Sequence, residues 1–170
     1  SANVSGPYQI SQIQSEFALE NDNNYFLGYL ANSYAEVYDI KLADLVQADY
    51  VDTLPFLYSG GVTRTEIQAT LPLTSAELIR PEIFQSIQNQ DESEFMKALR
   101  DNDVYNTKLR QPMSLYYSSS DLTVDPQDSE KTFEVMKAMD NPVSLINLGE
   151  FDHLTGIVNS FPLIAEQFEL

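Results

Sequence analysis

The sequence predicts an α/β fold, in which the last parallel strands of a sheet, with their flanking helices, carry an inserted helical segment. Two observations favour this fold. After residue 110, two short apolar runs alternate with two helix-like stretches, whereas residues 15–108 have helical spacing and little strand character. We therefore divide the chain into three segments: residues 1–14, expected to form the end of a core strand and a turn, the insertion at 15–108, and a βαβα segment at 109–170.

The inserted segment has the features of several short helices. Apolar residues recur at helical spacing over residues 26–38. Residues 63–66 and 74–77 both read Thr-x-x-Glu in outline, a capping box whose hydroxyl and carboxylate satisfy free amides at a helix start. An apolar stripe follows the second box over residues 78–87, and residues 95–99 indicate another short helix.

The last segment alternates between strand and helix. Residues 112–117 and 143–148 are short apolar runs, which predict two buried strands. Asp-Pro at residues 125–126 predicts the N-cap and first position of the helix between them. A final helix is expected over residues 157–168, broken or restarted near Pro162. Two strands joined by one helix are expected to be parallel.

Composition limits the partners and the chemistry. The chain has 170 residues with 9 Lys and Arg against 26 Asp and Glu, a net charge of −17, so nucleic acid and anionic lipid are expected to be repelled. No apolar run is long enough to predict a membrane span. With no Cys and a single His, disulfides, thiolate catalysis, thiolate-bound metal or iron–sulfur sites and a multi-histidine metal site of this chain alone are excluded.

Polar loops follow both predicted strands of the last segment, and they contain Asp121 and His153. Because neighbouring parallel strands end at the same edge of a sheet, we expect the two loops to lie side by side. A carboxylate next to an imidazole fixes its tautomer and stabilises the imidazolium that forms during acyl transfer. The placement therefore predicts that Asp121 orients His153, which acts as a general base.

Simpler interpretations of the same residues stay open. His153 is compatible with a structural histidine, and Asp121 with an ordinary turn residue. Asp125 competes as the acid but is expected to cap a helix, and Asp128 lies in the first turn of that helix, where it complements the helix dipole. Asp152 adjoins His153 in the chain, and adjacent side chains seldom orient each other well. Position in the chain, not residue type, favours Asp121 as the acid that orients His153.

Residues 112–126 resemble the acid-containing segment of α/β-hydrolases: an apolar strand, often His-Gly, two residues, Asp, two residues, Val and Pro. Residues 149–153 resemble the histidine loop of that family. Residues 5–8 are similar to the strand end after the nucleophile helix in secreted lipase-like and peptidase-like members, and residues 101–106 to the end of their helical cap. In those relatives, as in this chain, the acid precedes the histidine.

The resemblance implies the C-terminal portion of a serine hydrolase that acts on a small ester or peptide, with an inserted helical cap and with Asp121 and His153 as its catalytic acid and base. It also implies an extracytoplasmic location (secreted, periplasmic or lipid-anchored), although no export signal is visible in these residues. No metal or organic cofactor is implied. The aromatic residues of the insertion then either fill the core of the cap or line an acyl or side-chain pocket.

Two departures from the family pattern affect these expectations. Ser118 stands where the family often has Gly, so the loop backbone is expected to differ. No Gly-x-Ser-x-Gly occurs in the sequence: Ser5 precedes Gly6, but Asn3 and Pro7 occupy the positions of the two motif glycines. We therefore expect the nucleophile and the oxyanion donors to lie outside these residues and this chain by itself to be inactive.

A sheet that contains only the last strands of the fold leaves a strand edge and an apolar face uncovered. We expect a missing N-terminal half to cover them, or a second copy that exchanges elements in a homodimer. The competing function is a non-catalytic acidic helical interaction domain, in which the Asp and the His are incidental. The distance between Asp121 and His153 separates the two functions.

Overall fold

A computed structural model describes residues 1–168 of the chain. Its three strands, β1 (Ala2–Val4), β2 (Met113–Tyr117) and β3 (Val143–Asn147), form one sheet in the order β1-β2-β3. Both pairs of strands are parallel: Val4 lies opposite Tyr116, and Tyr117 lies opposite Asn147. The predicted α/β fold with parallel strands is confirmed.

The chain divides into two compact units, which we call the sheet unit and the helical unit. The sheet unit contains Ser1–Gln14 and the residues from Asn102 onward, and the helical unit is Ser15–Asp101. Our predicted insertion extended to residue 108, so its last residues lie in the sheet unit. Backbone contacts within that unit explain the difference, because Val104 N donates to Tyr8 O over 2.9 Å. A cap role for the helical unit stays a prediction.

Apart from α2 (Asn24–Val37), which has 14 residues, the described α-helices of the helical unit are short. They are α1 (Ser15–Glu20), α2 (Asn24–Val37), α3 (Leu42–Leu45), α4 (Thr53–Leu57), α5 (Arg64–Thr70), α6 (Ser75–Leu78), α7 (Pro81–Asn89) and α8 (Glu94–Asp101), with a 3-10 turn at Ala48–Tyr50. Both predicted capping boxes are confirmed, at the starts of α5 and α6. The predicted stripe over residues 78–87 is interrupted, because Pro81 excludes the helical conformation from Arg80, which is extended.

Helices pack on both faces of the sheet. α9 (Pro126–Ala138) lies on the face of Leu115, where Met136, Val143 and Tyr8 complete an apolar cluster. α10 (His153–Gln167) lies on the opposite face, where the Gln167 amide donates to Ser114 Oγ over 2.9 Å. Successive side chains of β2 point to opposite faces, so one strand contacts both helices.

The final helix differs from the prediction in its start and in its continuity. α10 begins at His153 and runs through Pro162 to Gln167 without a break. Asp152 is its N-cap and accepts from Thr155 N over 2.8 Å. Pro162 removes the N–H that would bond Val158 O, on an exposed part of the helix where water can replace it. His153 therefore stands in the first turn of a helix instead of a loop.

None of the helices within residues 1–168 combines the length and the apolar character that a membrane crossing requires.

Candidate active site

Asp121 and His153 are in direct contact: His153 Nδ1 lies 2.8 Å from Asp121 Oδ2. The sheet register accounts for the contact. Tyr117 at the end of β2 lies opposite Asn147 at the end of β3, so the segments that follow leave the same edge of the sheet. The structure thus brings together the two residues that the sequence analysis selected, one after each strand.

The acid loop holds the Asp121 carboxylate in a fixed orientation. Its Oδ1 accepts from Thr123 N over 2.8 Å and from Val124 N over 3.0 Å, which leaves Oδ2 for the imidazole. The side chain is only 2% exposed. Asp121 is therefore a turn residue as well as the partner of His153, and the two interpretations left open by the sequence coexist.

The charge state of Asp121 determines the tautomer of His153. Burial alone would raise the pKa of Asp121, but the hydrogen bonds from His153 and from two backbone amides outweigh it and hold the pKa below its ordinary value. An ionised carboxylate only accepts, so Nδ1 of a neutral His153 must donate. Nε2 then has a free lone pair, and the side chain is 22% exposed. The arrangement can take up a proton at Nε2.

Backbone contacts join the acid loop to the segment before His153. Leu148 N donates to Tyr117 O over 2.8 Å, and Ser119 N donates to Gly149 O over 3.0 Å. Ser119 Oγ donates to the same Gly149 oxygen over 3.2 Å. Gly149 has a φ of +109°, a backbone conformation that residues other than glycine rarely adopt. These contacts fix the separation of the two segments.

The competing acids have structural partners. Asp125 caps α9 and accepts from Gln127 N over 2.9 Å, and Asp152 caps α10. Asp128 does lie in the first turn of α9, but it is fully buried, and its carboxylate accepts from Tyr8 N over 2.9 Å and from Gln9 N over 3.1 Å.

The position of Asp128 is a finding that the sequence analysis missed. Gln14 Nε2 and Thr132 Oγ1 also donate to its carboxylate, over 2.9 and 3.3 Å. Burial raises the pKa of Asp128, and these hydrogen bonds oppose that rise only in part. The residue connects the segment after β1 to α9. A helix-start aspartate gives no sign in the sequence that distant backbone amides will surround it.

No serine hydroxyl in the described part of the chain forms a hydrogen bond with His153. Ser5, immediately after β1, has a left-handed backbone with φ of 44°, and its hydroxyl is buried without a partner among residues 1–168. The hydroxyl of Ser118 is in the same situation. The left-handed Ser5 was not predicted, and the structure does not bring its hydroxyl into a bond with the imidazole.

No protein-family model matches the sequence, and no curated protein matches it. Solved structures do. The rice cell wall degrading esterase LipA of Xanthomonas oryzae superposes with a TM-score of 0.82 at 18% identity, over 98% of this chain and 49% of LipA. A candidate hydrolase of Legionella pneumophila superposes with a TM-score of 0.79 at 19% identity, over 98% of this chain and 45% of that protein.

A ligand-bound form of LipA gives a similar result, with a TM-score of 0.81 at 16% identity. The chain therefore has the fold of part of an α/β-hydrolase, as the resemblance implied, and it spans about half the length of these solved structures. At this identity the likeness concerns the fold.

Proposed function

We propose that this chain supplies the acid and the base of a serine hydrolase that cleaves a small ester. The observation on which the proposal depends is the 2.8 Å contact between His153 Nδ1 and the buried Asp121 carboxylate. Asp121 holds the imidazole in the tautomer that leaves Nε2 basic and stabilises the imidazolium formed during the reaction. The alternative of an acidic interaction domain gives no reason for that contact.

In the proposed reaction, a serine hydroxyl from elsewhere in the complete protein attacks the ester carbonyl. Nε2 of His153 takes the hydroxyl proton as the new C–O bond forms, and it returns that proton to the departing alkoxide when the original ester C–O bond breaks. Water then repeats the sequence on the acyl-serine, releasing the acid and the free serine. The esterase fold of the neighbours supports a small-molecule substrate.

A complementary half of the fold is part of the proposal, because the chain spans only about half of its structural neighbours and contains no Gly-x-Ser-x-Gly. Two surfaces support it. Among residues 1–168, β1 pairs only with β2, so its other edge is open. Leu154, Val158 and Phe161 form an apolar stripe along α10 and are 64%, 62% and 59% exposed.

The complementary half would cover this stripe and extend the sheet at β1. We expect the isolated chain to self-associate through the same surfaces, and light scattering after size exclusion measures this. A stable monomer at high concentration would contradict the expectation. An extracytoplasmic location stays a prediction that fractionation of cells making the complete protein would test.

Substitutions in the complete protein test the proposed roles. Asp121→Asn and His153→Ala should each lower kcat on a short p-nitrophenyl ester by about 10³-fold or more, as loss of a triad member does elsewhere. Asp152→Asn is the matched control, because Asn caps a helix as well as Asp and the change removes a carboxylate next to His153 in the chain. Full activity in His153→Ala would refute the proposal.

A second arm tests the location of the nucleophile. The isolated chain should neither hydrolyse the ester nor react with a fluorophosphonate probe, and the complete protein should do both. Covalent labelling of the isolated chain, lost in Ser5→Ala, would show that the chain has its own nucleophile.

A further inference from the structure

Ser118 and Gly156 meet where the acid loop and the first turn of α10 come together. Ser118 begins the loop that leads to Asp121, and Gly156 lies one helical turn after His153. A side chain at position 156 would overlap Ser118 Oγ, and its Cβ would lie 3.2 Å from Ser118 Cβ. An alanine at 156 would therefore force the Ser118 hydroxyl to rotate or the two segments to move apart.

Each member of this contact lies in the same turn of the chain as one member of the acid–base pair. Asp121 N donates to Ser118 O over 3.3 Å, so Ser118 belongs to the turn that holds the acid. Gly156 N donates to Asp152 O over 2.8 Å, in the same helical turn as His153. The contact between Ser118 and Gly156 thus joins the turn that contains Asp121 to the helical turn that contains His153.

Ser118 is also costly where it stands. It is 1% exposed, and its hydroxyl has no partner within the described residues, which is unfavourable for a buried polar group. Ser118 stands where the family often has Gly, and the residue opposite it, at position 156, is itself Gly.

We propose that Ser118 and Gly156 form a matched pair that positions His153 against Asp121. The volume of Ser118 sets how closely the first turn of α10 approaches the acid loop, and the missing side chain of Gly156 permits that approach. The relevance of this pair to catalysis rests on the proposed function, whereas its effect on the hydrogen bond does not. Ser118 and Gly156 are positioning residues, because neither touches the reacting atoms.

The single histidine makes the hydrogen bond directly observable, because every imidazole NMR resonance of this chain belongs to His153. The Nδ1 proton should give a low-field resonance that Asp121→Asn removes. Gly156→Ala should shift that resonance upfield or broaden it beyond detection. The double variant Gly156→Ala with Ser118→Gly should restore it, because the second change vacates the space that the new methyl needs.

Ala favours helices more than Gly, so a loss in Gly156→Ala cannot come from helix propensity. In the complete enzyme the same substitution should lower kcat about 10²-fold with little change in KM, and the double variant should recover the activity. An unchanged low-field resonance in Gly156→Ala, or a loss that Ser118→Gly fails to repair, would overturn the inference. Failure of the proposed function looks different: the NMR pattern holds while Asp121→Asn leaves the activity of the complete enzyme intact.

Discussion

Among the described residues, the sheet unit buries two carboxylates, whereas the buried polar side chains of the helical unit are uncharged. These carboxylates belong to Asp121 and Asp128, which accept hydrogen bonds from residues far away in the chain, His153 and Tyr8 respectively. The fully buried large side chains of the helical unit are apolar. They are Leu45, Val46, Leu54, Leu78, Ile87, Met96 and Leu99.

The contrast matters for function, because hydrogen-bond geometry fixes the position of a side chain more narrowly than apolar packing does. The candidate acid–base pair lies in the unit with the buried carboxylates. We expect the sheet unit to tolerate substitutions of its buried carboxylates poorly. The helical unit should tolerate replacement of a buried apolar residue by another of similar volume. The following predictions test that difference, beginning with the largest effect.

Asp128→Ala should destabilise the sheet unit by about 4 kcal/mol. The change leaves Tyr8 N, Gln9 N and Gln14 Nε2 buried without their acceptor, and each such donor costs about 1–3 kcal/mol. Urea unfolding followed by the His153 NMR signals measures the loss within this unit. Asp125→Ala is a comparison at the half-buried cap of the same helix, where about 1 kcal/mol is expected. A loss below about 1 kcal/mol for Asp128→Ala would remove the contrast.

Leu54→Ala should destabilise the helical unit by about 3 kcal/mol, because it opens a cavity at a fully buried position. Leu54→Met, which nearly conserves volume, should cost less than about 1.5 kcal/mol. Urea unfolding followed by the ring resonances of Tyr58 reports on this unit. If the methionine variant lost as much stability as the alanine variant, the helical unit would tolerate substitutions at buried positions no better than the sheet unit.

Asp121 and Asp128 should give opposite dependences of stability on pH. The pKa of Asp121 is lowered by folding, so its contribution is present above its ordinary pKa of about 4 and is lost as the pH falls through the lowered value. The pKa of Asp128 is raised, so its contribution is largest at low pH and is lost as the pH rises through the raised value.

Unfolding measured across acid and neutral pH checks both directions. Asp121→Asn should weaken the loss of stability on acidification, whereas Asp128→Asn should weaken the loss on raising the pH. The same slope in both variants would contradict the opposite environments of the two carboxylates.

Thr63→Ala should have the smallest effect, about 1 kcal/mol, because it removes one capping interaction at the exposed start of α5. Thr63→Ser keeps the hydroxyl and should be close to neutral. Urea unfolding followed by the Tyr58 ring resonances measures both. A cost for the serine variant equal to that of the alanine variant would show that the hydroxyl is not what stabilises the helix start.

Local hydrogen bonding explains what the sequence determined by itself. The capping boxes and the Asp125 cap join residues two or three positions apart. Their sequence patterns can therefore be recognised without knowledge of distant contacts. The two apolar runs predicted parallel strands, and parallel strands place the segments after them at one edge. That rule selected Asp121 and His153 together, with the family resemblance as added support.

Only the tertiary structure decided the features that depend on distant residues. The contact between Tyr8 and Asp128 spans 120 positions, so nothing near Asp128 in the chain predicts its burial. α10 continues through Pro162 because the opposite face of the helix packs on the sheet. The helix also begins earlier than predicted, at His153, so this residue lies in a helix. The fit of Ser118 against Gly156 likewise depends on the approach of two elements. Contacts between residues far apart in the chain leave no periodic pattern in the local sequence. For that reason the sequence alone did not predict them.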